Sequence, residues 1–202
     1  MIITVASFKG GVGKSTTAIH LATYLAQRRG TKPDSVILAD GDLNRSVIQW
    51  ADRGGDNIPF LVCDGDNIPD EYTHLVIDTA ARPNDDDLLA LAETSDLLVV
   101  PCTPTTFALE ATIATLATLP SEKYRILLTV VPPKPSREGE KAQKALKQAG
   151  LPVFKPMIRR FAAYLKAENA GLPVGQIRDP KSSDAWAEYE AVGKEMWRVA
   201  RK

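Results

Sequence analysis

Cysteine and histidine are scarce in this 202-residue sequence, which contains two of each. Cys63 and Cys102 have no metal-binding spacing, so the sequence excludes a zinc module and an iron–sulfur cluster and suits a reducing compartment. His20 and His74 each lie within an apolar segment, which favours a place in the core or a turn over a catalytic role. The chemistry of this chain must therefore rest on other residue types.

Net charge and long apolar runs are also missing. The 25 basic and 25 acidic residues balance, so any surface for nucleic acid or an anionic membrane must be a local patch. The apolar runs have the length of a strand, well below the ~20 residues of a membrane span, and we expect no signal peptide before the first strand. With 44% apolar residues, residues 1–202 are expected to form a single globular domain.

Strand patterns alternate with helical patterns along the chain. Strands are predicted at 2–8, 36–40, 59–63, 74–78, 96–102, 124–131 and 152–154. Helices are predicted from Lys14 onward and near 44–53, 85–93, 106–119, 138–149, 159–170 and 183–201. Because the strands are continuously apolar, they predict an α/β fold with a doubly wound, mostly parallel sheet. Ligands bind such sheets at the carboxyl ends of the strands.

A glycine-rich segment, KGGVGKST, follows the first strand and opens the first helix. Gly10, Gly11 and Gly13 permit a backbone curl whose N–H groups surround phosphate oxygens, and the helix adds the positive end of its dipole. Lys14 is expected to reach the β- and γ-phosphates, and the Ser15 hydroxyl to ligate Mg²⁺. The usual pattern begins with a glycine where this chain has Phe8, and Lys9 is an additional cation at the start of the loop.

Carboxylates end two other predicted strands. Asp78 ends HLVID and is expected to hold a metal-bound water. Asp40 ends VILAD, and Asp42 follows two residues later. A carboxylate there can orient or deprotonate an attacking water, as phosphoryl transfer requires. We favour Asp40 for that role and as part of the metal site. Asp42 either ligates magnesium through water or caps the next helix.

In this order, KGGVGKST, DGDLNRS, LVIDTAAR and LLVVPCTPT resemble the ParA/MinD family of deviant Walker ATPases, over nearly the whole chain. The resemblance is closest to short ParA-type partition ATPases and to the members that position protein organelles such as carboxysomes. It implies a P-loop NTPase fold of the SIMIBI type, with ATP and Mg²⁺ as ligands and weak intrinsic ATPase activity. Asp40 then matches the catalytic aspartate, Asp78 the magnesium-region aspartate, and Thr79 to Arg82 the second switch.

The resemblance also implies that Lys9 acts on the nucleotide of a partner subunit. In the family this lysine reaches across a homodimer that sandwiches two nucleotides, and contacts the phosphates of the other subunit. Such a cation acts as an arginine finger does, neutralising charge only when two chains meet. The phosphate-site residues are expected to be Lys9, Gly10, Gly11, Val12, Gly13, Lys14, Ser15 and Thr16, with Lys9, Lys14 and Asp40 as the catalytic groups.

Further implied contacts concern adenine, DNA and cargo. Adenine is expected near 129–133 and 157–159, with Pro133, Met157 and Arg159 as the candidate contacts. The resemblance implies non-specific DNA binding, a cytoplasmic and nucleoid-associated location, and a cargo adaptor that stimulates hydrolysis. The basic candidates for DNA are Arg159, Arg160, Lys166, Lys194, Arg198, Arg201 and Lys202.

Two other functions fit the same motifs. A MinD-like membrane regulator would use the last helix, but Glu188, Glu190 and Glu195 dilute its charge, and interfacial helices prefer a basic polar face. We therefore expect its apolar stripe to cover the core, with no stable membrane association. An ATP-dependent small-molecule ligase would need a second set of acid or base residues, and the sequence shows no such set.

Overall fold

A computed structural model describes residues 1–80, 84–117 and 119–201. Its strands are β1 (Ile2–Val5), β2 (Val36–Asp40), β3 (Leu61–Asp64), β4 (His74–Asp78), β5 (Leu97–Cys102) and β6 (Tyr124–Leu128). Its helices are α1 (Lys14–Ala26), α2 (Ser46–Gly54), α3 (Asp85–Thr94), α4 (Thr106–Leu116), α5 (Glu138–Gln148), α6 (Ala162–Ala170) and α7 (Ser182–Val199).

The strands form one six-stranded sheet in the order β3-β2-β4-β1-β5-β6. Every neighbouring pair in it is parallel. All carboxyl ends therefore share one edge, and the loop after β1 lies in the middle of that edge. The predicted fold class, an α/β protein with a doubly wound parallel sheet, is confirmed.

Helices cover both faces of the sheet because successive strand side chains point to opposite sides. In β5, Leu97 and Val99 belong to one core cluster, which includes side chains of α1, α2 and α7. Leu98 and Val100 belong to the other, which includes side chains of α3, α4 and α5. Burial on both faces explains why these strands read as continuous apolar runs rather than as alternating ones.

Several predicted boundaries differ from the structure, and three strands show the difference most clearly. β1 ends at Val5 rather than at residue 8, and β6 ends at Leu128 rather than at residue 131. The predicted strand at 152–154 is only an isolated bridge between Val153 and Ile126. The prolines at 152 and 156 lack the N–H group that a ladder needs, so pairing stops after one residue.

The last helix, α7, covers the core as predicted. Tyr189 and Met196 are fully buried in the same cluster as α1. Gly193 allows the close approach of the two helices, because a Cβ atom there would lie 2.3 Å from the Tyr24 ring. A glycine in mid-helix costs about 1 kcal/mol relative to alanine, so this packing contact explains its presence.

His20, a residue of α1, is buried against the segment before α7. Its Nδ1 donates a hydrogen bond to the Thr16 carbonyl (2.6 Å), and its Nε2 accepts one from the Val174 amide (3.0 Å). The ring stacks on Tyr189 with centroids 4.5 Å apart. Burial lowers the pKa of His20 to about 4, although the Thr16 hydrogen bond acts in the opposite direction. The imidazole is therefore a neutral core group, as the sequence suggested.

We predict that Gly193→Ala lowers the free energy of unfolding by about 1–3 kcal/mol, because the added methyl overpacks the Tyr24 contact. Ala191→Gly, on the exposed side of the same helix, is the matched control and should cost about 1 kcal/mol through propensity alone. Urea unfolding measures both. If Gly193→Ala raises stability, as propensity alone would dictate, the close approach of α1 and α7 is wrong.

We predict a second effect, on the pH dependence of stability. The pKa of His20 in the folded protein lies below its unfolded value near 6.5. The contribution of this residue to the free energy of unfolding is therefore complete above pH 6.5 and is lost as the pH falls toward about 4. The loss is about 3 kcal/mol at most. His74 shifts in the same direction through burial and the nearby Met1 amino group, so the measurement is the difference between wild type and His20→Gln across this range. Identical pH profiles for the two proteins would contradict the assignment.

Candidate functional site

The glycine-rich loop curls between β1 and α1. Gly11 and Gly13 have φ angles of 73° and 76°, a left-handed backbone that glycine adopts without strain. The space that a Cβ atom would occupy at either residue is open, with no atom within 4 Å. On the other side, the Thr129 hydroxyl donates a 2.7 Å hydrogen bond to the Val12 carbonyl. The loop is therefore anchored beside the end of β6.

Lys14 is held by two carboxylates. Its Nζ lies 2.8 Å from Asp78 Oδ1 and 3.3 Å from Asp42 Oδ2, and the side chain is 9% exposed. Burial acts to raise the pKa of Asp42, but hydrogen bonds from Asn44 and the charge of Lys14 outweigh it and keep the pKa below its ordinary value. The loop lysine thus lies at the carboxyl edge with its charge already balanced.

Asp78 is the most deeply buried of these acids. Burial raises its pKa, and Lys14, with a smaller contribution from the Ser15 hydroxyl, offsets only part of this. Its Oδ2 atom is buried and has no hydrogen-bond partner among the described residues. A carboxylate oxygen without a partner, with the Ser15 hydroxyl near the same group, fits the hard oxygen ligands that Mg²⁺ requires.

Asp40 lies beside Asp78 in the β2–β4 register, but its side chain caps α2. Oδ2 accepts hydrogen bonds from the backbone amides of Val47 (2.9 Å) and Ile48 (3.1 Å), and Oδ1 accepts one from Asp42 (3.1 Å). One of the two roles predicted for Asp42, that of capping α2, is wrong, because Asp40 accepts the hydrogen bonds from the first amides of this helix. The reason is geometric: α2 begins only at residue 46, so its free amides lie over the end of β2.

Lys9 differs from Lys14 in its exposure and in its contacts. It is exposed and makes no hydrogen bond or ion pair with any residue of the described ranges. It lies at the rim of a cleft of about 350 Å³ that also contacts Lys14, Ser15, Asp42 and Asn44. It also borders a second cleft beside Thr103 and Pro104, after β5. The two loop lysines therefore lie in contrasting environments. Lys14 is buried and paired with carboxylates, whereas Lys9 is exposed and has no partner in the described part of the chain.

A smaller cleft of about 190 Å³ opens behind the loop, next to Gly13 and Thr16. Both predicted adenine segments contribute to it, through Thr129 and Arg159. Pro133 and Met157 do not; they line a neighbouring cleft on the other side of Arg159. Its apolar walls include Val130 and Ile158, which lie within the predicted segments. Sequence reasoning missed the three aromatic residues of the wall, Phe161, Tyr164 and Tyr189. The aromatic residues directly after 157–159 were the available signal.

Several of the predicted basic residues are already paired. Arg159 forms an ion pair with Glu188 and also donates its backbone amide to that side chain (2.7 Å). Lys166 lies 2.5 Å from Asp179. Arg160, Lys194 and Arg198 are exposed, and Arg201 lies over the Trp197 ring. Lys202 lies outside the described residues.

The proposed second switch is described only in part. Thr79 donates its hydroxyl to the carbonyls of Val5 (3.1 Å) and Ala80 (3.0 Å), which fixes the start of the segment. Ala81 and Arg82 lie outside the described residues.

Among the helices of the described ranges, none has the length and apolar character needed to cross a membrane.

Comparisons with known proteins agree with this geometry. Residues 3–174 match the CobQ/CobB/MinD/ParA nucleotide binding domain. The chain is 34% identical over 212 residues to the maintenance of carboxysome distribution protein A of Gloeobacter kilaueensis, covering all of this chain and 96% of that protein. It is 26% identical to the protein of the same name from Halothiobacillus neapolitanus, over 87% of each chain.

Solved structures share the fold at low identity. MinD of Aquifex aeolicus has a TM-score of 0.68 at 15% identity, covering 98% of this chain and 97% of its own. A variant of Cyanothece McdA in complex with ATP has a TM-score of 0.65 at 18% identity, with 95% and 96% covered. Since the matched segment spans most of the sequence, this chain belongs to the CobQ/CobB/MinD/ParA nucleotide-binding family.

Proposed function

We propose that this protein is an ATPase that dimerises around ATP and distributes a cellular cargo. One observation carries the proposal: the glycine-rich loop holds two lysines, of which Lys14 is buried against Asp78, whereas Lys9 is exposed and has no partner among the residues that the structure describes. A single cation is sufficient for a nucleotide bound in its own loop. A second, projecting from the rim, is suited to phosphates held by another copy of the chain.

The residues around the loop provide for nucleotide binding. The loop amides and the amino end of α1 would hold the phosphates, and Lys14 would exchange its carboxylate partners for phosphate oxygens. Ser15 and Asp78 would hold Mg²⁺, which supplies charge neutralisation when bound. The apolar cleft behind Gly13 is the best place for adenine, with Thr129 and Arg159 at its border.

Asp40 is the proposed positioning group for the attacking water. It lies beside Asp78 at the carboxyl edge, but three backbone amides occupy its oxygens in this arrangement. One lone-pair position of the carboxylate is left. Asp40 can orient a single water through this position while it remains the cap, or it must release the start of α2 to offer more. Weak intrinsic hydrolysis is the expected consequence.

The cargo is proposed from the relatives. Two proteins that match over most of this chain bear the name of carboxysome distribution, so a carboxysome is the favoured cargo, and a plasmid or chromosome the alternative. The cycle would use non-specific DNA binding by the ATP-bound dimer and an adaptor on the cargo that stimulates hydrolysis. In such a cycle the protein would act in the cytoplasm, on the nucleoid. A membrane-bound regulator is disfavoured because the apolar side of α7 lies in the core.

We predict that Lys9→Ala still binds ATP but no longer dimerises with it, because the exposed lysine serves the partner's phosphates. Light scattering after size-exclusion chromatography with a non-hydrolysable ATP analogue measures the mass, and fluorescent-nucleotide titration measures the binding. Lys14→Ala is the control and should lose binding itself. ATP-driven dimerisation of Lys9→Ala at the wild-type concentration would remove the trans role.

We predict that Asp40→Asn lowers adaptor-stimulated or basal ATP turnover by about 10²-fold while nucleotide binding and dimerisation persist. Asp42→Asn, which alters the weaker of the two Lys14 pairs, should affect turnover far less. Because Asp40 also caps α2, Asp40→Ala should cost about 1–2 kcal/mol of unfolding free energy, and the asparagine less. Full turnover in Asp40→Asn would leave the cap as the only role of this residue.

A further inference from the structure

Arg45, the residue directly before α2, has an unusual backbone. Its φ and ψ angles are 51° and 40°, and Val130 is the other non-glycine residue of the described ranges with a positive φ. A residue with a Cβ atom is strained in this left-handed conformation, and such strain clusters at functional sites. The Arg45 amide donates a 2.8 Å hydrogen bond to the Asp42 carbonyl, and the Arg45 carbonyl accepts one from the Gln49 amide (3.0 Å). Hydrogen bonds therefore hold a turn that arginine does not itself favour.

The Arg45 side chain points to the outer edge of the sheet. Its Nη1 forms an ion pair with Asp64 Oδ2 at the end of β3, which lies on the far side of β2 from the nucleotide loop. The Asp66 amide and the guanidinium hold the pKa of Asp64 below its ordinary value, so this carboxylate is charged at neutral pH. The Arg45 side chain remains half exposed. Because exposed ion pairs are weak, Asp64 holds the guanidinium in place without fixing it there.

The start of α2 is held by two turns of the same sequence. Asp-Gly-Asp occurs at 40–42 and again at 64–66, and the two turns end neighbouring strands that are in register. In both turns the amide of the second aspartate donates to Oδ1 of the first, at 3.1 Å and 3.2 Å. Asp40 accepts the first amides of α2, and Asp64 pairs with Arg45. The two carboxylates thus restrain one segment, the first through its backbone and the second through a side chain.

The segment that carries Arg45 borders the phosphate loop. Asn44 and Ser46, its two neighbours in the chain, line the 350 Å³ cleft that also contacts Lys14. Asp42 accepts the Arg45 amide through its carbonyl, and the Asp42 side chain lies 3.3 Å from Lys14 Nζ. A single residue therefore separates the Arg45 backbone from the loop lysine, although the guanidinium is turned away from it.

We infer that Arg45 is a catalytic residue for ATP hydrolysis, held in reserve by Asp64. When the first turn of α2 leaves Asp40, the arginine side chain turns from Asp64 to the γ-phosphate of the nucleotide in the loop. The inference rests on the proposed function and adds to it a cation from the same chain as Lys14. Asp64 is then a positioning residue, because it acts only through Arg45.

The hydrolysis step is suited to a cation that arrives late. The water oxygen bonds to the γ-phosphorus, the bond from that phosphorus to the bridging oxygen breaks, and ADP leaves with the electron pair. The protons of the water end on the released phosphate. A cation that contacts the phosphoryl oxygens only during this step stabilises the transition state more than bound ATP, and therefore raises kcat without tightening ATP binding. The planar guanidinium can contact two of these oxygens at once.

One movement would make both catalytic groups available. Asp40 has to release the amides of Val47 and Ile48 before it can offer more than one lone pair to a water, and these amides begin the helix that Arg45 precedes. Once this turn opens, Arg45 can leave the left-handed conformation, so the relief of strain favours the open form. Slow basal turnover is the expected property of a chain in which the closed form prevails.

Single-turnover release of labelled phosphate from ATP, with the full-length protein and Mg²⁺, tests the inference. Arg45→Asn should slow this release at least about tenfold, because the arginine contacts the transferred phosphoryl group. A non-hydrolysable ATP analogue should bind the variant as it binds the wild type, whereas ADP with aluminium fluoride, which imitates the transition state, should bind at least about tenfold more weakly. Asparagine adopts a left-handed backbone readily, so the turn before α2 is kept. Arg45→Lys should recover part of the rate.

Asp64→Asn should have the opposite effect. Without its partner the Arg45 side chain is free more often, so turnover should rise about two- to fivefold, the range that an exposed ion pair controls. The rise should vanish in Arg45→Asn/Asp64→Asn, because it passes through the arginine. Asp70→Asn removes an exposed acid from the same connection between β3 and β4. It is the matched control and should turn over ATP at the wild-type rate.

Wild-type turnover by Arg45→Asn, or an equal loss of affinity for the ATP analogue and for the aluminium fluoride complex, would overturn the inference. So would an Asp64→Asn rate that does not rise, a rise that persists without the arginine, or an equal rise in Asp70→Asn. Thermal unfolding establishes that each variant is folded. Nucleotide binding and dimer mass of the wild type are measured on the same samples, so a failure of the proposed function is recognised separately.

Discussion

The ion pair between Lys14 and Asp78 is the interaction on which the site depends. It joins the start of α1 to the end of β4 at 2.8 Å, with the Asp78 side chain fully buried. Removing one partner of such a pair leaves an uncompensated buried charge, which typically costs 3–5 kcal/mol. Nucleotide binding therefore has to provide Lys14 with new anionic partners and Asp78 with a cation, which a magnesium triphosphate can do together.

Asp40 connects this centre to the outer helices. Its carboxylate caps α2, and the far end of α2 packs directly on the end of α6. A Cβ atom on Gly54 would lie 2.0 Å from the Gly171 carbonyl oxygen, and Arg53 donates to the Glu168 carbonyl at 3.1 Å. Both ends of α2 are held, one by Asp40 and the other by α6. A movement of the Asp40 side chain would therefore displace α2 as a rigid body.

The parallel sheet separates two kinds of charge. Its carboxyl edge holds the buried ion pair of Lys14 and Asp78, while at the amino edge Arg28 and Arg201 stack on the Trp197 ring. The length of α1 keeps the two regions apart.

The sequence by itself determined the order of elements, the phosphate loop and the burial of the strands, because these depend on local spacing and on apolar periodicity. The convergence of parallel strands predicts that Lys14 and Asp78 lie at one edge of the sheet, but it does not predict that they form an ion pair. Tertiary structure alone decided that Asp40 caps α2, that Phe161 and Tyr164 line the cleft behind Gly13, and that Arg28 meets Trp197. Each of these joins residues whose mutual position depends on strand register or helix packing, and the pattern of a single segment contains no information about either.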